Sequence, residues 1–188
     1  MFGSFFFYQM KKLQLFKGSI FIYLLLITSN SLAQNKISLD VAAIRNMRTE
    51  MNGLNVSCFY HFTESITGGI EMNRFFKEDR KKGEETMQLS AWDFDFNFHY
   101  LLPFHKKIKW YPLSGISHTS EKERNLANGE SQFERFWSFN TGAGLLGEMG
   151  RWSPHIEYSY TWGHLNQQFL LAGISYELEW SHISEKQK

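Results

Sequence analysis

The chain has 188 residues, 43% of them hydrophobic and 17% aromatic, with only three prolines and one cysteine. Those values fit a single β-rich domain and exclude a disordered chain or a disulfide-stapled scaffold. The formal charge is +1 at pH 7, which excludes the basic footprint of a nucleic-acid binder, and no motif calls for a metal or a cofactor.

In chain order, Lys11, Lys12 and Lys17 precede the apolar run "SIFIYLLLI". The segment "NSLAQ" follows, with Ser31 and Ala33 placed for cleavage before Gln34. This is the layout of a secretory signal peptide over residues 1–33, with Met1 or Met10 as the start. The apolar run is roughly half of the ~20 residues a spanning helix needs. No cysteine follows the cleavage point, so lipid attachment there is unavailable. The lone Cys58 has no intramolecular partner and reads as a small apolar filler. Export leaves 17 basic against 19 acidic residues.

From Gln34 to Trp180 the chain is a succession of runs with the two-residue period of β-strands, broken by turn-rich pieces. The first, 36–46, aligns Ile37, Leu39, Val41 and Ala43. The second, 54–62, aligns Leu54, Val56, Cys58, Tyr60 and Phe62. The third spans 66–76. The fourth is "AWDFDFNFHYLLPF", 91–104, where Trp92, Phe94, Phe96, Phe98 and Tyr100 alternate with Asp93, Asp95, Asn97 and His99. The fifth, 108–118, contains Pro112, which removes a ladder donor and predicts an edge or a bulge. The sixth is 135–147. The seventh, 155–162, sets Ile156, Tyr158, Tyr160 and Trp162 against His155, Glu157, Ser159 and Thr161. The eighth, 169–180, sets Ile174, Tyr176, Leu178 and Trp180 against Ser175, Glu177 and Glu179. Residues 181–188 form a polar tail.

The connectors between even- and odd-numbered runs differ. Those after the second, fourth and sixth are short, whereas "KEDRKKGEETMQL" and "TSEKERNLANGESQFE", after the third and fifth, are long and charged. An even number of antiparallel strands with tight turns at one end and polar loops at the other is the plan of an outer-membrane barrel. The fold class expected is therefore all-β, an eight-stranded antiparallel up-and-down transmembrane barrel.

The alternation alone leaves open which face is outside, since a soluble, exported lipocalin-like barrel also alternates. Such a barrel would enclose the rings of Trp92, Phe94, Phe96, Phe98, Tyr100, Tyr158, Tyr160, Trp162 and Trp180 in an interior just wide enough for side chains. Turned outward, the rings meet acyl chains, and Glu71, Asp93, Asp95, His99, Lys109, Arg135, Glu157 and Glu177 meet inside as a lumen network of salt bridges. Gly68–Gly69 and Gly142–Gly144 give room inside, and Trp110, Trp137, Trp162 and Trp180 fall at interfacial girdles. Eight strands do not make a wide pore. In hydrocarbon the strands must close, because an unpaired backbone group costs several kcal/mol.

The segments "FHYLLPFHKKIKWYPLSGIS", "GAGLLGE", "HIEYSYTWG" and "LAGISYELEW" resemble the small eight-stranded outer-membrane proteins of the OmpX/OmpA-barrel type, especially the outer-membrane β-barrel domain proteins common in Bacteroidetes. The resemblance spans most of the exported chain and contains no catalytic signature. It implies a monomer in contact with outer-membrane lipid and lipopolysaccharide. It also implies insertion by the barrel-assembly machinery, which reads an aromatic-ended last strand, the place Trp180 fills here; the tail past Trp180 departs from the family's usual end.

Two candidate chemistries remain. The inward acids are either a structural network or an ion path. The segment "SHTSE", 117–121, resembles the site of the outer-leaflet lipid A deacylases, in which His118 would be the base, Ser120 the nucleophile and Glu121 the orienting group. A β-strand puts His118 and Ser120 on one face and Glu121 on the other. The reading reached is a structural or surface-interaction barrel with its surface partner unnamed, the acyl hydrolase being the alternative and the soluble barrel a third.

Overall fold

The computed structural model describes residues 36–180; the expected signal peptide and the tail 181–188 lie outside the described residues. Its strands are β1 (Lys36–Asn46), β2 (Asn52–His61), β3 (Ile66–Phe75), β4 (Glu78–Lys82), β5 (Glu85–Tyr100), β6 (Leu102–His105), β7 (Ile108–Asn125), β8 (Ser131–Gly147), β9 (Trp152–Gly163) and β10 (Gln167–Glu179). Two of these are continuations. β4 prolongs β3 beyond Phe76 and Lys77 and pairs with the start of β5, and β6 prolongs β5 beyond Leu101 and pairs with β7. The remaining eight form one antiparallel barrel. Each pairs with the next, and β1 closes on β10 along a ladder running from Lys36↔Glu179 to Asn46↔Phe169.

Closure uses up the backbone donors and acceptors that an open sheet leaves at its edges, and it is what allows strands to cross hydrocarbon. The direction of side chains then follows from the pleat. Along β5, Phe94, Phe96 and Phe98 are 43%, 39% and 43% exposed, while Asp93 and Asp95 are 1% and 7% exposed. The same parity carries Leu39, Val41, Leu54, Val56, Ile70 and Met72 to the exterior on β1, β2 and β3, and Phe139, Leu145, Ile156, Tyr158, Leu170 and Ile174 on β8, β9 and β10. The outer surface is an apolar belt. A soluble lipocalin-like arrangement, with these rings inside, is therefore not the one adopted.

Large rings bracket the belt. Trp92, Trp137 and Trp162 stand outward at the end where the long hairpins lie, and Tyr100, Trp110, Trp152 and Trp180 at the end with the short turns and the strand termini Lys36 and Glu179. Trp92 to Tyr100 covers about 27 Å of strand, or about 20 Å of height at a usual tilt of ~40°, most of the ~25 Å apolar band of a membrane barrel.

Two features depart from the sequence expectation. The long charged connectors are largely strand: β5 begins at Glu85, β7 runs on to Asn125 and β8 begins at Ser131. Their backbones pair from Trp92↔Ser120 to Met87↔Asn125 and from Ser120↔Arg135 to Arg124↔Ser131. Above the belt both faces meet water, so pairing continues without an apolar stripe to advertise it. Pro112, expected at an edge or bulge, lies within β7 opposite Ala143 of β8. On its other side the ladder to β5 lapses after His99↔Leu113 and resumes in β6 at Leu102↔Trp110, so the missing donor falls in a gap.

The bore is filled rather than open. Met51, Phe75, Phe169, Ile44 and Leu171 form a buried apolar cluster in its upper half, with the Phe75 and Phe169 rings stacked at 5.8 Å. Tyr111, Leu101 and Leu113 form a second, lower one. Gly144 makes the lower packing possible, because a Cβ there would collide with the Tyr111 ring. The room that the glycine stretches were expected to give to opposing polar chains is taken at this position by an aromatic ring. With the exterior facing lipid, Phe96→Arg near the middle of the belt is expected to destabilise the barrel by about 2–4 kcal/mol, read from urea unfolding in bilayers; an unchanged midpoint would contradict a lipid-facing β5.

Candidate functional site

The polar interior is organised by asparagines. Asn55 of β2 donates to Glu71 Oε2 at 3.2 Å and to Asn73 Oδ1 at 2.7 Å. Asn73 of β3 donates to Asp95 Oδ2 at 2.8 Å, and Asn97 of β5 donates to Glu71 Oε1 at 2.7 Å. Asn140 of β8 reaches Asn97 Oδ1 at 3.4 Å and accepts from the Thr161 hydroxyl of β9 at 2.9 Å. Tyr111 completes the set by donating to Glu157 Oε2 at 3.1 Å. These bonds run around the bore from β2 to β9 and supply each of Glu71, Asp95 and Glu157 with at least one neutral donor, which offsets part of the loss of water.

Glu71, Asp93, Asp95 and Glu157 are thus all buried inside, and His99 stacks between the Phe59 and Tyr111 rings at 4.3 and 4.8 Å. The expected cations are not among them. Lys109 sits at the short-turn rim, paired with Glu148 at 2.6 Å, and Glu177 is likewise at the rim, 2.5 Å from Lys36. Arg135 is exposed on the outer face, because β8 turns its even-numbered residues Ser138 and Asn140 inward and its odd-numbered ones outward. The salt-bridge network expected to include Lys109 and Arg135 is replaced in the centre of the bore by amide-to-carboxylate bonds.

A second network closes the upper mouth. Asn46 donates to Gln167 Oε1 at 2.9 Å, Gln167 donates to Glu121 Oε1 at 2.7 Å, and Arg48 approaches the same oxygen at 3.6 Å. Sequence reasoning missed Asn46, Asn55, Asn73 and Gln167. Their signal was present, since each lies at an inward position of its strand, but uncharged amides did not stand out beside the carboxylates.

The three residues of the candidate acyl-transfer site do not converge. His118 and Ser120 face outward, and the His118 ring lies 5.8 Å from the Trp92 ring and 4.8 Å from the Trp137 ring. Ser120 is opposite Trp92 and Arg135 in the ladders. Glu121 faces the bore and is held by Gln167 and Arg48. The base and the hydroxyl sit in an aromatic girdle, with the carboxylate on the other side of the sheet.

The sheet that extends β4, β5, β7 and β8 beyond the belt has two unlike faces. The continuation of the outer face carries Lys81, Lys122, Arg124 and Arg135, with Lys122 Nζ 5.0 Å above the Phe133 ring. Asp79 is the one acid on that face, and it accepts from Gln88 at 3.0 Å. The continuation of the inner face carries Glu78, Glu85, Glu121, Glu123 and Glu134, together with the basic Arg80 opposite Met87, and Asn125 donates to Glu85 at 2.7 Å. On β7 and β8, charges of opposite sign that look mixed in sequence are sorted by the pleat, whereas β4 keeps both signs on each face.

No family model and no curated protein matches the chain by sequence. Solved structures do match by fold. Ail, the attachment invasion locus protein of Yersinia pestis, superposes with a TM-score of 0.55 at 13% identity, over 77% of this chain and 99% of Ail. The same protein in complex with the heparin analogue sucrose octasulfate gives 0.55 at 16%, over 76% and 97%. The N-terminal β-barrel domain of Pseudomonas aeruginosa OprF gives 0.54 at 14%, over 78% and 100%. Neisserial surface protein A gives 0.53 at 11%, over 77% and 96%. The architecture is that of the small eight-stranded outer-membrane β-barrels, and the apolar belt is the surface such a barrel turns to lipid. Ser120→Ala is expected to leave the acylation of cellular lipid A unchanged by mass spectrometry; extra acyl chains in the variant strain would assign Ser120 a hydrolytic role.

Proposed function

We propose that this outer-membrane β-barrel has a non-catalytic, surface-interaction role. Its working surface is the basic outer face of the projecting sheet, and its ligand is the phosphate-bearing lipopolysaccharide of the leaflet around it. The observation that carries the reading is the placement of Arg135 and Lys122. Arg135 lies two residues beyond Trp137, and Lys122 lies four beyond His118, on the same face. Two and four residues of strand are about 7 and 14 Å, so Arg135 stands directly above the ring girdle, at the height where headgroup phosphates begin, and Lys122 stands further out along the same face. Arg135 and Arg124 offer planar forks suited to phosphate oxygens.

Sucrose octasulfate bound to Ail is a polyanion on a barrel of the same fold, which supports the ligand class. The filled bore supports a barrel without a wide pore. As the resemblance implies, the chain is a monomer inserted by the barrel-assembly machinery, with Trp180 as the aromatic end of its last strand. Each basic residue near an anionic surface contributes about 1 kcal/mol. The Lys122→Glu, Arg124→Glu, Arg135→Glu triple variant is therefore expected to lose at least tenfold in affinity for bisphosphorylated lipid A, measured by native mass spectrometry from mixed micelles. Equal retention by parent and variant would reject this surface as the ligand site.

A further inference from the structure

Among the described residues, the two most exposed large apolar side chains lie outside the belt. Phe104 is 72% and Met149 68% exposed, and both stand beyond the girdle at the short-turn end, the periplasmic end of such a barrel. We infer that the flank carrying them is a binding site for an anionic glycerophospholipid of the periplasmic leaflet, with Lys106, Lys107 and Arg151 on its phosphate. The site is at the opposite end of the barrel from the projecting sheet and does not depend on the surface reading above.

The first observation is height. Phe104 lies in β6, four residues past Tyr100 of the girdle. Those four residues add about 14 Å of strand, or about 10 Å of height at the same tilt. The apolar surface from Trp92 to Phe104 is then about 30 Å tall, against the ~25 Å apolar band of a membrane barrel. The surplus sets Phe104 at the depth of glycerol and phosphate rather than of acyl chains. Ile108, across the hairpin on β7, is exposed beside it.

Two turns build the site together. Lys106 and Lys107 form the tip between β6 and β7, and Met149 and Arg151 lie between β8 and β9. The Glu148 N–H joins them by donating to the Lys107 carbonyl at 2.8 Å. Met149 bridges to Trp152, whose ring is 4.7 Å from that of Tyr176. Arg151 Nη1 is 3.5 Å from the Tyr176 hydroxyl. That contact holds one nitrogen of the guanidinium over the ring pair and leaves the rest of the planar fork for phosphate oxygens.

Charge selects the headgroup. The one acid in these two turns, Glu148, is held by Lys109 at 2.6 Å. Among the described residues, no acid lies within ion-pair distance of Lys106, Lys107 or Arg151. The rest of the rim is the reverse: Lys36 is shared by Glu177 and Glu179, and Glu64 lies in the turn between β2 and β3. The rim is therefore polarised, positive on the flank that reaches below the belt and negative at the strand termini. A phosphatidylethanolamine brings an ammonium group that finds no unpaired carboxylate on this flank. Phosphatidylglycerol brings its phosphate without one, and the lysine stems can lie along its apolar part while their ammonium groups reach the phosphate.

The test uses the full exported chain refolded in mixed micelles with equal amounts of phosphatidylglycerol and phosphatidylethanolamine, read by native mass spectrometry. The parent is expected to retain phosphatidylglycerol about tenfold over phosphatidylethanolamine. The Lys106→Gln, Lys107→Gln, Arg151→Gln triple variant should lose that preference. The Lys122→Glu, Arg124→Glu, Arg135→Glu variant should keep it, which separates this site from the lipopolysaccharide surface. Equal retention of the two lipids by the parent would overturn the proposal, and so would a preference that survives the glutamine variant. A second measurement needs no variant: phosphatidylglycerol carrying a diazirine beside its headgroup should cross-link to the peptides that contain Phe104 and Met149. Cross-links confined to other strands, or displacement of the lipid by soluble peptidoglycan fragments, would also overturn it.

Discussion

The ladder between β1 and β10 is the contact on which the rest of the molecule depends. Hydrocarbon offers no partner to an open strand edge, so eight strands that cross it must return upon themselves. The register from Lys36↔Glu179 to Asn46↔Phe169 does this with the first and last barrel strands. Once the ring is closed, the pleat leaves no choice about side chains. One parity faces lipid and the other faces a bore only wide enough for the side chains it contains. The belt, the amide network and the charges sorted on β7 and β8 are all expressions of that single alternation.

The alternation was legible where one parity is apolar. In β5 the order Trp92, Phe94, Phe96, Phe98 against Asp93, Asp95, Asn97 leaves no doubt about strand or phase, and the orientation followed from the bulk of the rings. It was illegible where both parities are polar. "SEKERN" places Glu121 and Glu123 on one face and Lys122 and Arg124 on the other, the same period of two written in charge instead of hydrophobicity. Searched for apolar spacing, it reads as a loop. Arg135 was misplaced for a related reason: its strand continues above the belt, where an outward position is wet and suits a cation. Pro112 misled in the opposite direction, since a missing donor is tolerated inside a barrel when the facing ladder lapses at the same height.

The interior shows how far polarity alone can be read. The carboxylates were found from sequence, but their partners were assigned by charge, and charge gave the wrong ones. Lys109 lies at the rim and Arg135 outside, while Asn55, Asn73, Asn97 and Asn140 occupy inward positions at neighbouring heights on β2, β3, β5 and β8, the last two meeting across Gly115 of β7. A neutral amide can donate to one strand and accept from another, which a lysine cannot. That makes it suited to linking strands across a bore.

The central claim is that the ring-bearing surface lies against lipid, and the chain's single cysteine is placed to test it. Cys58 is on the outward parity of β2, opposite Leu39 of β1 and Ile70 of β3. A nitroxide attached at Cys58, in protein reconstituted into bilayers, should collide with dissolved oxygen far more often than with a water-soluble nickel chelate. The reverse ratio would place this face in water and contradict the account.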